Sequence, residues 1–417
     1  QLKFDKVPEH FILTQLRSLK RGKAVGLDNI SPRFLKDAAV IITNPLTQII
    51  NASLSQASIP ADWKAARVIP LYKAGKANEV GNYRPISILP VISKLVERAV
   101  QVQLGKHFSD HNILSPFQCG YRKAHSTETA AISLTDTIRR NIDQGLLTGA
   151  VFIDLSKAFD TVDHALLLQK LRYYGIENLE LKWFEDYLTN RMQVVDYQNV
   201  MSDFQSITSG VPQGSILGPL LFILLVNDLP STVVHCTLLM YADDTVLFYS
   251  AKDVNVVEEK LNENLGIIGN WLRKNSLFIN KEKTECLLFG TPGKLSNIES
   301  FHVHINDYVI KRVSKFKYLG IYLDECLSWK AHIKSVVSKA GKRIGMLGRL
   351  RSNLTTHSAS IVYTSFIRPV MEYDDTVWTC CGKGNAQELE RLQNRAARIV
   401  TKCSYSDTAL SNLKWDS

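Results

Sequence analysis

Apolar residues recur with a helical period over residues 254–272. Val254, Val257, Leu261, Leu265, Ile268 and Leu272 step by three or four along one face. The same period predicts helices over 90–108, over 127–144 with Gly145 at a C-cap position, over 164–174 stopped by Gly175, and over 179–188. Residues 1–60 read as helices with polar joints, and the chain from Lys330 onward as mostly helical. A different pattern marks strands. Short apolar runs at 67–71, 150–154 and 286–289 predict buried strands, and 301–310 and 317–323 alternate with period two. Residues 237–249 read as two strands around Ala-Asp-Asp-Thr, and 194–207 as a β-hairpin. A Gly/Lys/Asn-rich turn occupies 74–82, and a Gly/Pro-rich loop at 209–218 leads into an apolar helix ending near Asn227. The middle of the chain is therefore α+β, with strands that bracket acidic turns.

Composition narrows the class. The 417 residues are 45% hydrophobic and 22% charged, ordinary for a globular chain. The longest apolar run, 216–226, is broken by Gly218 and Pro219 and falls short of the ~20 residues that span a bilayer. Nothing near the N-terminus reads as a signal peptide, so the expectation is a soluble intracellular protein of cytoplasm and nucleus, with no membrane partner. The seven cysteines form no C-x-x-C pair and read as reduced thiols, with a metal site at Cys380–Cys381 as the alternative.

The net charge of +10 and a pI near 9.1 point to a polyanionic partner. Lys330, Lys334, Lys339, Lys342, Arg343, Arg349 and Arg351 share a stretch without acids, and Arg391, Arg395, Arg398 and Lys402 repeat at helical spacing. Either patch alone is a solvated surface. Both together, downstream of an acidic site, favour phosphate contacts.

Three acids carry the chemistry. Asp154 ends the Val-Phe-Ile run, and Asp243-Asp244 sit between two apolar segments. Close like charges raise one another's pKa, and divalent cations remove that cost; hard carboxylate oxygens suit Mg²⁺. An isolated Asp-Asp is more simply a turn. Here it has company. The segments FIDLSKAFDTVDH (152–164), SGVPQGSILGPLLFILLVNDL (209–229) and YADDTVLF (241–248) resemble, in order and spacing, the three central palm motifs of reverse transcriptases. GKAVGLDNISPRFLK (22–36), NYRPISILPVISKLVER (82–98) and QCGYRKAHST (118–127) extend the resemblance upstream. NWLRKNSLFINKEKTECLLFG (270–290) and FKYLGIYLD (316–324) extend it downstream. The set is similar to non-LTR (LINE-type, jockey-like) retrotransposon reverse transcriptases.

That resemblance implies a right-hand polymerase fold. An N-terminal helical extension would occupy 1–60, fingers 61–145, a palm with an antiparallel sheet 146–325, and a basic helical thumb 326–417. It implies Asp154, Asp243 and Asp244 as catalytic ligands of two Mg²⁺ ions, with Mn²⁺ as a substitute. Phe159 falls where the family carries a steric gate against a 2′-hydroxyl, with ordinary core packing as the alternative. Gln213 and Gly214 resemble the loop at the nucleotide and template base, and Lys73 and Arg84 the fingers cations on the triphosphate. Lys283, in competition with Lys281, resembles the lysine near the leaving pyrophosphate. Tyr318-Leu319-Gly320 resembles the primer grip. Asp160 and Asp163 read as structural or helix-capping acids.

The implied activity is RNA-directed DNA polymerisation in target-primed reverse transcription. RNA template, DNA primer and dNTPs are its partners, and an endonuclease domain is expected elsewhere in the full element. A chain starting at Gln1, without an RNase H segment, reads as part of a longer polyprotein or a truncated copy. Two rivals stand beside this reading: a catalytically silent or domesticated RNA-binding protein, and an RNA-dependent RNA polymerase. His107 and His111 read as helix surface, and His302 and His304 lack a third ligand.

Overall fold

The computed structural model describes residues 1–413 and Trp415. The chain is α+β and forms two compact units, each assembled from separated stretches of sequence. The first holds Gln1–Lys123, Leu155–Val233 and Ile267–Ile279; the second holds Ala124–Asp154, Val234–Gly266 and Asn280–Ser417. Among the described residues, no helix is long and apolar enough to cross a membrane.

In the first unit, the helices Glu9–Ser18, Pro32–Asp37 and Ala39–Gln56 form the N-terminal part. Apolar side chains such as Ile12, Leu16 and Ile50 are fully buried there. The sheet of this unit is mixed. Ala65–Tyr72 pairs antiparallel with Tyr83–Ile88 and parallel with Arg191–Tyr197, which also pairs with Val200–Met201 and Gln205–Ile207. The predicted hairpin over 194–207 is present, and its first strand begins three residues earlier. The helix Leu217–Leu225 is apolar on every side, and its residues are buried apart from Pro219.

Within the first unit, the helix Val91–Asp110 corrects one expectation. His107 is buried, not surface, with Nε2 2.9 Å from the Tyr174 carbonyl oxygen. An imidazole tolerates this burial because its ring nitrogen has found a backbone partner.

The second unit is organised around a six-stranded sheet. Its order is Val303–Ile305, Tyr308–Arg312, Glu285–Phe289, Leu147–Ile153, Asp244–Ala251, Thr237–Tyr241. Leu147–Ile153 lies centrally, antiparallel to both neighbours, and every residue of it is buried. It starts three residues before the predicted strand, because Thr148 and Gly149 conceal its apolar character. Thr148 Oγ1 lies 2.9 Å from Ser250 Oγ, and a Cβ on Gly149 would stand 2.6 Å from Leu261 and 2.7 Å from Val257. The helix Val254–Lys274 thus packs onto the strand where only glycine fits.

The other face of the sheet buries Phe152, Val246, Phe248 and Leu287 with Ala131, Leu134 and Ile138 of the helix Thr127–Asp143. A capping box between Ser126 and Thr129 starts that helix. Further along, Lys330–Leu350 and Gly382–Thr401 share a core of Val336, Ala340, Ile344, Leu392, Ala396 and Val400 with Tyr363 and Ile367.

The basic stretch beginning at Lys330 divides by burial. Lys330, Lys334, Lys339, Lys342 and Arg349 are exposed, as are Arg391, Arg395, Arg398 and Lys402. Arg351 is not part of that surface. It is 7% exposed, and its guanidinium donates to the carbonyls of Ile399 and Val400 and to Thr356 Oγ1. The last carbonyls of a helix have no intrahelical donor, so Arg351 completes the end of Gly382–Thr401.

Candidate active site

The acids stand at one end of the central strand pair. Ile153 is the partner of Thr245, so the next rung brings Asp154 alongside Asp244. Tyr241 pairs with Asp244 across a two-residue turn made by Ala242 and Asp243, with Ala242 at φ 58°. A tight hairpin therefore presents Asp243 and Asp244 at the end of the sheet where the central strand delivers Asp154. Asp154 and Asp244 line one open cavity of about 470 Å³ with Lys283, Glu282, Glu285, Lys315, Lys317 and Tyr322.

Asp154 is anchored through its backbone. Its N–H donates to Thr284 Oγ1 at 3.3 Å, and its carbonyl accepts from the Asn280 N–H at 2.8 Å. These bonds bring the 280–284 segment to the acid and place Lys283 Nζ 3.9 Å from Asp154 Oδ2. Lys281 goes elsewhere, its ammonium over the Tyr308 ring at 5.5 Å. Of the two competing lysines, the structure brings Lys283 to the acids. With 58% and 34% of the side chains exposed, this pair adds little to stability.

Tyr318 and Ile321 close a second tight hairpin between Lys315–Tyr318 and Ile321–Asp324. Its two central residues, Leu319 and Gly320, have φ of 44° and 100°. Positive φ at both positions suits the right-handed twist of a two-residue hairpin. Tyr318 is buried in the core beneath the sheet, its ring tilted against Phe152 with centroids 5.5 Å apart.

The first unit gathers a separate set. Phe159 stacks on Phe222 with ring centroids 4.8 Å apart, and its carbonyl accepts from the Val211 N–H at 2.8 Å. Gln213 Nε2 donates to Asp160 Oδ1 at 2.9 Å, and the Gln213 carbonyl accepts from the Ser87 N–H at 2.7 Å. Burial raises the Asp160 carboxyl above its ordinary range, while the Gln213 amide and Lys157 pull it back. Gly214, at φ 129°, lies so close to the adjacent strand that a Cβ would meet the Ser87 oxygen at 2.4 Å. The Val-Pro-Gln-Gly loop is thus sewn to Phe159-Asp160 on one side and to Tyr83–Ile88 on the other.

That strand carries Arg84, exposed and opposite Leu71. Lys73, also exposed, directly follows Ala65–Tyr72, and its N–H donates to the Asn82 carbonyl at 2.9 Å. Asp163 caps His164–Tyr173, accepting from the Leu166 N–H at 3.0 Å.

A family model described as reverse transcriptase (RNA-dependent DNA polymerase) matches residues 73–323. The chain belongs to the reverse transcriptase family. Similar proteins include one named as a probable RNA-directed DNA polymerase from transposon BS of Drosophila melanogaster, 33% identical over 94% of this chain and 44% of that protein. A second is the probable RNA-directed DNA polymerase from transposon X-element of the same organism, 27% identical over 92% of this chain and 43% of that protein. A third, the RNA-directed DNA polymerase from mobile element jockey, also of Drosophila melanogaster, is 28% identical over 90% and 41%. The chain spans less than half the length of these relatives.

Reverse transcriptases generally use divalent metal ions. Among the described residues no group of three or more His, Cys, Asp or Glu side chains forms a ready metal cage, at Cys380–Cys381 or elsewhere. The donor set nonetheless fits Mg²⁺, which keeps waters and substrate phosphates as ligands and asks the protein for only one or two carboxylates. Asp154 and Asp244 open on the same cavity and offer hard oxygens.

One residue of this part of the fold escaped sequence reasoning. Glu97, 1% exposed, accepts from the N–H groups of Ile216 at 2.6 Å and Leu217 at 3.1 Å. It caps the helix that follows the Val-Pro-Gln-Gly loop. Burial raises its carboxyl, opposed by those two bonds and by the charge of Arg191. The signal was an acid in an apolar stripe, since Ser93, Glu97, Val100 and Leu104 step along one buried face.

Proposed function

We propose that this chain is the polymerase core of an RNA-directed DNA polymerase from a non-LTR retrotransposon. It would add dNTPs to a DNA primer 3′-hydroxyl on an RNA template, in target-primed reverse transcription. The observation that carries this reading is the pairing of Asp154 with the Asp243-Asp244 hairpin at one sheet end, inside the segment matched by the family model.

Asp154, Asp243 and Asp244 would hold two Mg²⁺ ions, or Mn²⁺ in their place, whose chemistry is charge stabilisation of an in-line displacement at phosphorus. Lys283, its Nζ 3.9 Å from Asp154 Oδ2, would donate a proton to a leaving pyrophosphate oxygen. Arg84 and Lys73 supply the cations for a triphosphate, Arg as a fork and Lys as a point charge. Phe159, wedged on Phe222, would exclude a ribose 2′-hydroxyl by contact, and Gln213-Gly214 would border the base pair being formed. Tyr318-Leu319-Gly320 would support the primer end. In this reading 1–60 is an N-terminal extension, 61–145 the fingers, 146–325 the palm and 326–417 the thumb, and an endonuclease elsewhere in the element supplies the nick.

Primer extension on poly(rA)/oligo(dT) with Mg²⁺ tests the proposal against Asp243→Asn. Wild type should incorporate dTMP and the variant should not. Equal incorporation by both would end the enzyme reading.

A further inference from the structure

The Leu319-Gly320 turn holds a leucine at φ 44°, a left-handed conformation that side chains other than glycine and asparagine rarely adopt. Such a residue persists only when its surroundings over-determine it. Here Tyr373 does so. Its Oη donates to the Leu319 carbonyl at 2.8 Å, and its ring lies so close to Gly320 that a Cβ there would meet Cε1 at 2.7 Å. The same oxygen is 3.2 Å from Thr127 Oγ1, in the first turn of Thr127–Asp143. A phenol has one proton, so the Tyr373 hydroxyl serves the Leu319 carbonyl within a small network that also holds Thr127 and the Asp374 carboxyl. From behind, Trp378 Nε1 donates to the Tyr373 carbonyl at 3.0 Å, tying the brace to a buried indole.

Tyr373 is itself 41% exposed. A tyrosine kept for core packing would be buried. This one spends its hydroxyl on the carbonyl of a strained turn 54 residues earlier in the chain.

We propose that Tyr373, steadied by Thr127, is a positioning residue that fixes the Tyr318-Leu319-Gly320 turn and through it the primer terminus. The inference rests on the polymerase reading above, in which that turn supports the primer. It predicts an effect on primer alignment without an effect on nucleotide binding.

The test is single-nucleotide extension with the KM for primer–template and the KM for dTTP measured separately, alongside thermal melting. Tyr373→Phe keeps the ring against Gly320 and deletes the hydroxyl. It should lose about fivefold in kcat/KM for primer–template, the worth of one neutral hydrogen bond, with the KM for dTTP unchanged and the melting temperature lowered by no more than about 2 °C. Thr127→Val should show the same split at about twofold. Wild-type kinetics in both folded variants would overturn the inference, as would equal losses on primer and nucleotide. Should Tyr373→Phe not fold, Thr127→Val decides alone: the split supports the brace and unchanged kinetics overturn it. A wild type that extends no primer overturns the polymerase reading itself, a separate result.

Discussion

The acid-bearing end of the second unit and the Val-Pro-Gln-Gly loop of the first unit are built on opposite principles. Asp154, Asp243 and Asp244 are delivered by strand register and one tight turn, and Asp154 and Asp244 open on a cavity. Their neighbours include a lysine that is more than half exposed. In the first unit Phe159, Gln213 and Gly214 are locked by side-chain stacking, a buried Glu97 cap, and backbone contact with Ser87 that leaves no room for a single methyl group. The contrast is the one the proposed function asks for: acids proposed as metal ligands are left open to solvent, and a loop proposed to judge shape is held rigid.

Breaking the first region should cost most. Asp243→Asn is expected to lower dTMP incorporation by about 10³-fold, comparable to removing a preorganised charge-stabilising group, without a change in melting temperature. A large fall in stability would mean that the acid is structural.

Next comes Gly214→Ala. A Cβ 2.4 Å from the Ser87 oxygen, at φ 129°, imposes roughly 2 kcal/mol of strain. If the loop recognises nucleotide, kcat/KM for dTTP falls about thirtyfold; if only stability falls, the loop is scaffold.

Phe159→Ala sharpens the comparison further. It should relax discrimination between dTTP and UTP about tenfold while dTTP incorporation is largely retained, since the ring acts by exclusion. Unchanged discrimination would return Phe159 to the core.

The smallest effect probes burial of a carboxylate within the second unit. Asp374 is 8% exposed, and desolvation, with Glu128 adding to it, pushes its carboxyl up to about 6. A raised acid favours the folded state when protonated, so its contribution is complete below pH ~4 and is lost as pH rises through about 6. Asp374→Asn should therefore melt at nearly the wild-type temperature at pH 4 and above it at pH 8. A constant difference across that range would discount the burial.

Much of the fold was legible because it lies in local periodicity. Val257, Leu261, Leu265, Ile268 and Leu272 are all buried, as their spacing predicts, and the acidic hairpin falls between the two apolar runs that bracket it. Glu97 was hidden because its partners, Ile216 and Leu217, are 119 and 120 residues away. Arg351 looked like one more cation in a basic stretch, yet it serves carbonyls 48 and 49 residues along the chain. His107 was likewise read from its own helix, while its partner lies 67 residues off. Spacing tells which face of an element a residue occupies, and not what that face will meet.

By itself, then, the sequence determined the α+β class, the three acids with hard oxygen donors, and the ordered segments that mark the reverse transcriptase family. The tertiary structure alone decided which lysine reaches Asp154, which arginine is buried as a helix-end donor, and which tyrosine braces the Leu319 turn. The physical reason is the same in each case. Residue type and period are properties of a few neighbouring positions, whereas desolvation and hydrogen-bond partnership depend on distant segments that only folding brings together.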